Sequence, residues 1–196
     1  MTGQEVDYIA GTVGIISLGC PKNTVDTERL LGELADVGWA FTDDPCEADC
    51  LIVNTCGFIR DAILESEEAL DEICAIKEEN PDVILVATGC LPQRAGIDLR
   101  KRFPALDLIV GVGSLPDLPR LLHELLSGES VEWEAESDLC RPGRSTLSLA
   151  DDPRVILTPP WTAYLKIAEG CDHSCAFCTI PAIKGPYTVS YTHLTL

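Results

Sequence analysis

Three of the ten cysteines in this 196-residue chain fall on one short stretch, residues 170–181, as Cys171, Cys175 and Cys178. The spacing is Cys-x3-Cys-x2-Cys. Three thiolates so placed can hold three corners of a cubic iron–sulfur cluster and leave the fourth iron without a protein ligand. An open iron is a place for a substrate or cosubstrate to bind. The competing chemistry is a zinc knuckle, in which His173 would have to supply a fourth ligand. A side chain inside so short a loop is badly placed to close a tetrahedron.

A second set, Cys20, Cys56 and Cys90, is scattered in sequence but shares a local context. Each follows an apolar run and adjoins Gly19, Gly57 or Gly89. If the three runs are strands of one parallel sheet, their carboxyl ends share an edge, where open α/β sheets bind ligands. Neighbouring strands lie about 5 Å apart, so the three thiols could meet at one cluster. The glycines let backbone come close, and helix N-termini after the strands would favour thiolate. The alternative is three small buried residues. Cys50 and Cys74 read as core, Cys46 as a loop thiol and Cys140 as a linker thiol. Asp26, Asn54 and Arg60 lie beside the second set, where capping and turn roles explain them as well as ligand contact. His123 and His193 carry no role.

The elements that would position these residues alternate. Apolar runs at 13–18, 50–55, 83–88 and 107–110, with a shorter one at 39–42, read as strands. Helices are expected at 24–37, capped by Asn23, then at 61–79, 93–102 and 115–126. Strands apolar on both faces, each followed by a helix, predict an α/β fold. Its mostly parallel sheet would be doubly wound, in a flavodoxin-like order. Residues 129–160 break the pattern with acidic residues, prolines and a Ser/Thr cluster, and read as a linker. Residues 161–168 alternate like a new strand leading into the three-cysteine loop.

The bulk numbers narrow the class. A hydrophobic fraction of 46% supports a real core. A net charge of −18 offers no basic face for phosphate contacts, so no direct nucleic-acid binding is expected, whereas a basic protein partner would suit it. The first ten residues hold Glu5 and Asp7 and no Lys or Arg, unlike a signal peptide, and no apolar run is long enough to span a bilayer. Reduced thiols in the cytoplasm, with no membrane partner, are therefore expected.

Together these residues resemble the radical S-adenosylmethionine methylthiotransferases. The matching pieces are 17–23 with Asp26 and Glu28, 53–59, 87–90 and 164–181. The resemblance implies an N-terminal, auxiliary-cluster domain at 12–127, a linker at 128–160 and the start of a radical domain at 161–188. It implies two [4Fe–4S] clusters as cofactors, with S-adenosyl-L-methionine. Cys171, Cys175 and Cys178 would hold the cluster that splits S-adenosylmethionine, and Cys20, Cys56 and Cys90 an auxiliary cluster that carries sulfur. Phe177 matches the usual aromatic of the first loop. The Ser-Leu-Gly-Cys-Pro-Lys-Asn wording resembles the branch that methylthiolates the β-carbon of an aspartate in small-subunit ribosomal protein uS12. An electron donor such as flavodoxin or ferredoxin is implied. The alternatives are the sister branch, which acts on N6-isopentenyladenosine in tRNA, and a non-catalytic metal-binding module.

That family would continue past Pro181 with an Arg-Gly and a Ser-Arg segment, then a barrel and a small β-barrel domain. Here Lys184 and Gly185 are followed by a different text, and residues 189–196 read as a non-native tail. The expectation is a truncated enzyme, inactive alone, in which the segment from Trp161 onward lacks sheet partners and is poorly held.

Overall fold

The computed structural model describes residues 11–127, Cys140 and residues 153–189. Its centre is a five-stranded parallel sheet in the order β2-β1-β3-β4-β5. The strands are β1 (Thr12–Ser17), β2 (Ala40–Phe41), β3 (Cys50–Thr55), β4 (Ile84–Gly89) and β5 (Leu108–Gly111). All six residues of β3 are buried, as a central strand covered on both faces requires. Alternation along it sends Leu51 and Val53 into one core layer and Cys50 and Ile52 into the other.

Four helices cover the sheet: α1 (Pro21–Asp36), α2 (Arg60–Glu79), α3 (Cys90–Arg102) and α4 (Leu118–Leu126). Leu30 and Leu34 of α1 and Leu118 and Leu122 of α4 pack in one layer, with Ile52, Val86 and Leu108. Leu70 and Ile73 of α2 and Leu91 and Leu99 of α3 pack in the other, with Leu51, Leu85 and Ile109. This is the doubly wound arrangement expected from the strand–helix alternation.

Three boundaries differ from the sequence reading, each for a local reason. Helix α1 starts at Pro21, whose fixed φ suits the first helical position, so Cys20 is its N-cap. Asn23 lies inside the first turn and does not cap. Helix α3 starts at Cys90, straight after β4, and bends at Gly96. The helix expected from Leu115 is preceded by a 3-10 segment, Val112–Asp117, that contains Pro116.

The larger correction concerns residues 161–168. The expected strand forms only at its end, where β6 (Ala168–Glu169) pairs antiparallel with β7 (Thr188–Val189). Alternation alone is insufficient, because a strand needs a neighbour to hydrogen-bond. Trp161, Leu165 and Ile167 stay exposed.

The stretch just before it, residues 153–157, is held on α1. Buried Glu28 of α1 accepts from Arg154 Nε (2.8 Å) and Leu157 N (2.8 Å), and its own carbonyl accepts from Val155 N. Gly32, one turn on, sits so close that a Cβ there would lie 2.4 Å from the Pro153 carbonyl carbon. Most of the expected linker and nearly all of the expected tail lie outside the described residues. Cys140 is described; its carbonyl accepts from Gln93, and it packs against the α2–α3 layer.

Candidate functional site

The order of the strands places the first cysteine set. β1, β3 and β4 are adjacent, and their ends are in register: Ser17 pairs with Asn54, and Thr55 with Gly89. Cys56 and Cys90 come one residue after β3 and β4, and Cys20 three residues after β1. The three side chains line one cavity of about 450 Å³ at this edge, with Lys22, Asn23, Phe58, Ile59, Glu65 and Ala62. That volume falls in the range of cofactor pockets, about 300–1,000 Å³. Cys20 is exposed at the mouth; Cys56 and Cys90 are buried.

The glycines make this approach possible. Gly19 has φ +94°, and a Cβ there would lie 2.9 Å from Cys56 Cβ and 3.3 Å from Cys56 Sγ. Gly89, at φ +99°, lies so close to β3 that a Cβ would be 2.3 Å from Asn54 Oδ1. Both positions need a residue free of Cβ.

Asn23 is the residue that sequence reasoning misplaced as a cap. It is buried, and its Nδ2 donates to Leu18 O (3.0 Å) and Thr55 O (3.0 Å), tying the Cys20 loop to the Cys56 loop. Its Oδ1 accepts from Cys90 Sγ at 3.7 Å. One amide therefore touches the setting of all three thiols. Asn54 supports it from below, donating to Asn23 O (3.1 Å) and Thr27 Oγ1 (2.9 Å). Ser66 Oγ accepts from Cys56 N (3.0 Å), and Arg94 donates to Gly57 O (2.7 Å). The signal in the sequence was an Asn three residues after Cys20, but only the fold shows what it reaches. Arg60 is an exposed residue at the start of α2.

Electrostatics differ from the expectation that helix N-termini favour thiolate. Burial pushes the Cys90 thiol up to about 11, and the Lys184 ammonium offsets this only in part. The metal-free Cys90 thiol thus holds its proton at neutral pH, and any metal bound there would have to displace it.

The second set lies on the loop after β6. Cys171 and Cys178 are half-buried and Cys175 is exposed. Cys171 N donates to Gly185 O (3.1 Å), and Cys178 N to Cys175 O (3.1 Å). His173 is exposed on the same loop. The loop runs into a short helix, α5 (Ile180–Lys184), whose Ile180, Ile183 and Lys184 form a wall of the first cavity. The two sets are thus joined: the helix that begins two residues after Cys178 closes over Cys90, with Ile183 packed against it.

Among the described residues, no three His, Cys, Asp or Glu side chains are gathered tightly enough to hold a single metal ion. Zn–S bonds of about 2.3 Å draw sulfurs to within roughly 4 Å of one another. A cubane spreads its thiolates over its corners around a cluster-sized space. The donor set fits that group: three cysteines, no fourth sulfur among the lining residues, and an unfilled space between them.

Behind α5 lies a buried group of four charges. Lys166 Nζ is 2.6 Å from Asp26 Oδ1 and 2.6 Å from Glu169 Oε2; Lys184 Nζ is 3.2 Å from Asp26 Oδ2 and 3.1 Å from Glu169 Oε1. All four side chains are less than a tenth exposed. Burial alone would lower the Lys184 pKa, but Asp26, Cys90 and Glu169 outweigh it and raise it. Asp26 is thus an ion-pair partner and not a capping or turn residue. No helix among the described residues is long and apolar enough to cross a membrane.

A doubly wound sheet with glycine-flanked cysteines on three adjacent strand ends defines a class, and the chain belongs to it: residues 12–111 match the Uncharacterized protein family UPF0004. Named relatives extend the match into the second cysteine set. The chain is 43% identical over 175 residues to "Ribosomal protein uS12 methylthiotransferase RimO" of Pelotomaculum thermopropionicum, covering 89% of this chain and 38% of that protein. It is 42% identical over 185 residues to the protein of the same name from Symbiobacterium thermophilum, covering 94% and 37%. The Trichlorobacter lovleyi counterpart is 40% identical over 176 residues, covering 89% and 38%. The chain therefore spans under two fifths of the length of these relatives.

Proposed function

We propose that the chain is the cluster-carrying part of a radical S-adenosylmethionine methylthiotransferase acting on an aspartate of ribosomal protein uS12. The observation that carries this reading is the single cavity lined by Cys20, Cys56 and Cys90 and walled by the helix that follows the Cys-x3-Cys-x2-Cys loop. The names of the relatives supply the substrate. On this reading Cys20, Cys56 and Cys90 hold one [4Fe–4S] cluster, and Cys171, Cys175 and Cys178 hold the other. The clusters would supply reductive cleavage of S-adenosyl-L-methionine and a sulfur to transfer, with electrons from a flavodoxin or ferredoxin in the cytoplasm.

The chain's own residues prepare this. Asn23 and the strand-end glycines hold three thiols around one space with no fourth sulfur among the described lining residues. Burial of Cys56 and Cys90 keeps water from the inner side of that space. Phe58 and Ile59 give its rim an apolar lip. The acidic chain suits a basic protein partner better than a nucleic acid.

Anaerobic reconstitution of the chain with iron and sulfide tests the site. About eight irons with matching sulfide are expected, falling to about four when either trio is replaced by alanine. Stoichiometric zinc without sulfide would defeat the reading. A full-length relative carrying Cys20→Ala at the matching position should lose uS12 modification; retained modification, or modification of tRNA instead, would overturn the substrate assignment.

A further inference from the structure

Four buried charges are a poor device for stability. Desolvating them costs about as much as their attraction returns, and apolar replacements of similar shape are often neutral or better. The group between α1, β6 and α5 therefore calls for another account, and its orientation offers one. Lys184 lines the cysteine cavity, whereas Lys166 lines a separate groove with Pro21, Lys22 and Val25. Among the described residues, three charged ones line the cavity: Lys22, Glu65 and Lys184. Lys22 and Glu65 are exposed, so water and salt screen them. The Lys184 side chain is 9% exposed and is fixed by Asp26 at 3.2 Å and Glu169 at 3.1 Å.

We propose that Lys184 is a positioning residue for an anionic iron–sulfur cluster held by Cys20, Cys56 and Cys90, with Asp26 and Glu169 aiming its ammonium at the cavity so that it sets the cluster's reduction potential. The inference rests on reading the cavity as a cluster site. A [4Fe–4S]2+ core bound by three thiolates carries one net negative charge, and two after taking up one electron. A fixed cation in a low-dielectric wall favours the more negative state and so raises the potential. Lys184 is also six residues beyond Cys178 on the same segment. Seating the second cysteine loop and placing this charge are thus one structural event.

The test uses the full 196-residue chain with Cys171→Ala, Cys175→Ala and Cys178→Ala, so that only the cavity thiols load. Iron and sulfide are counted after anaerobic reconstitution. The midpoint potential is then read by a redox titration followed by electron paramagnetic resonance. Lys184→Met should favour the oxidised form by about tenfold at a given potential, a shift of about 59 mV to more negative values for one electron. Lys184→Arg should restore the original value. The double variant Glu169→Gln/Lys184→Met keeps the group neutral and guards against loss of fold, checked by circular dichroism; it should shift in the same direction as Lys184→Met but by less, because a nearby negative charge is removed with the positive one. An unchanged potential in a folded, fully loaded Lys184→Met or double variant overturns the proposal, as does an equal shift in Lys184→Arg. If the background chain takes up no iron and sulfide, the cluster reading itself fails and the inference falls with it.

Discussion

The two cysteine sets reach similar donor counts by opposite routes. Cys171, Cys175 and Cys178 share eight residues of one loop, tied by Cys178 N to Cys175 O and by Cys171 N to Gly185 O. Cys20, Cys56 and Cys90 are brought together over 70 residues by strand order, two positive-φ glycines and one buried amide. The loop set is half-buried to exposed; the strand-end set, with Cys56 and Cys90 buried and Cys20 exposed, depends on the whole sheet. A contiguous site can be read from spacing, whereas a dispersed one inherits the stability of the fold around it.

Gly89→Ala should separate the two cysteine sets most strongly. A Cβ at 2.3 Å from Asn54 Oδ1, at φ +99°, adds a steric clash to a strained backbone. A loss of about 4 kcal/mol is expected from those two penalties. Urea denaturation should show it, and alkylation of Cys56 and Cys90 should accelerate while Cys175 keeps its rate.

Asn23→Ala comes next. It leaves the buried Thr55 carbonyl and the half-buried Leu18 carbonyl without their donor, for about 3 kcal/mol. Iron uptake by the strand-end set should fall more than uptake by the loop set, which a Cys171/Cys175/Cys178 alanine background would isolate.

Glu28→Gln probes the join between the regions. It weakens the bonds to Arg154 and Leu157, for about 2 kcal/mol. Hydrogen exchange should quicken in residues 153–169 before it quickens in β3 or β4. Uniform quickening would show that the segment and the sheet open as one unit.

A smaller effect comes from pH. Burial pushes the Cys50 thiol above its ordinary range, with Asp107 and Asp49 adding to the shift, and burial raises Cys74 and Cys90 too. The folded chain keeps these protons after unfolded thiols, near pKa ~8.5, release theirs. The resulting stability is present below that pH and declines as pH rises through it. Thermal melts of the metal-free chain should decline from about pH 8.5 to 10, and Cys50→Ala should flatten the slope. Cys175→Ser, on the exposed loop, should leave the metal-free melt unchanged.

Much of the fold was legible because strands buried on both faces and helices buried on one leave different apolar periods. β3 and α2 follow their patterns nearly to the residue. Residues 161–168 show the limit. Their alternation matches a strand, but among the described residues ladder pairing starts only at Ala168, and the ion pair of Lys166 with Asp26 ties the segment to α1. Asp26 and Glu28 could be flagged from sequence, but their partners lie 126 to 158 residues away.

The alternation that builds the sheet and the loop that carries Cys171, Cys175 and Cys178 could be read from the residues alone, because both are written in short-range spacing. The sequence also marked Cys20, Cys56 and Cys90 by their glycine neighbours. The side-by-side placement of β1, β3 and β4, the link Asn23 makes between all three strand ends and the closure of the cavity by Lys184 emerge only in the folded chain. Those are long-range contacts, chosen by how whole faces pack together, and no local pattern encodes which distant residue will complete them.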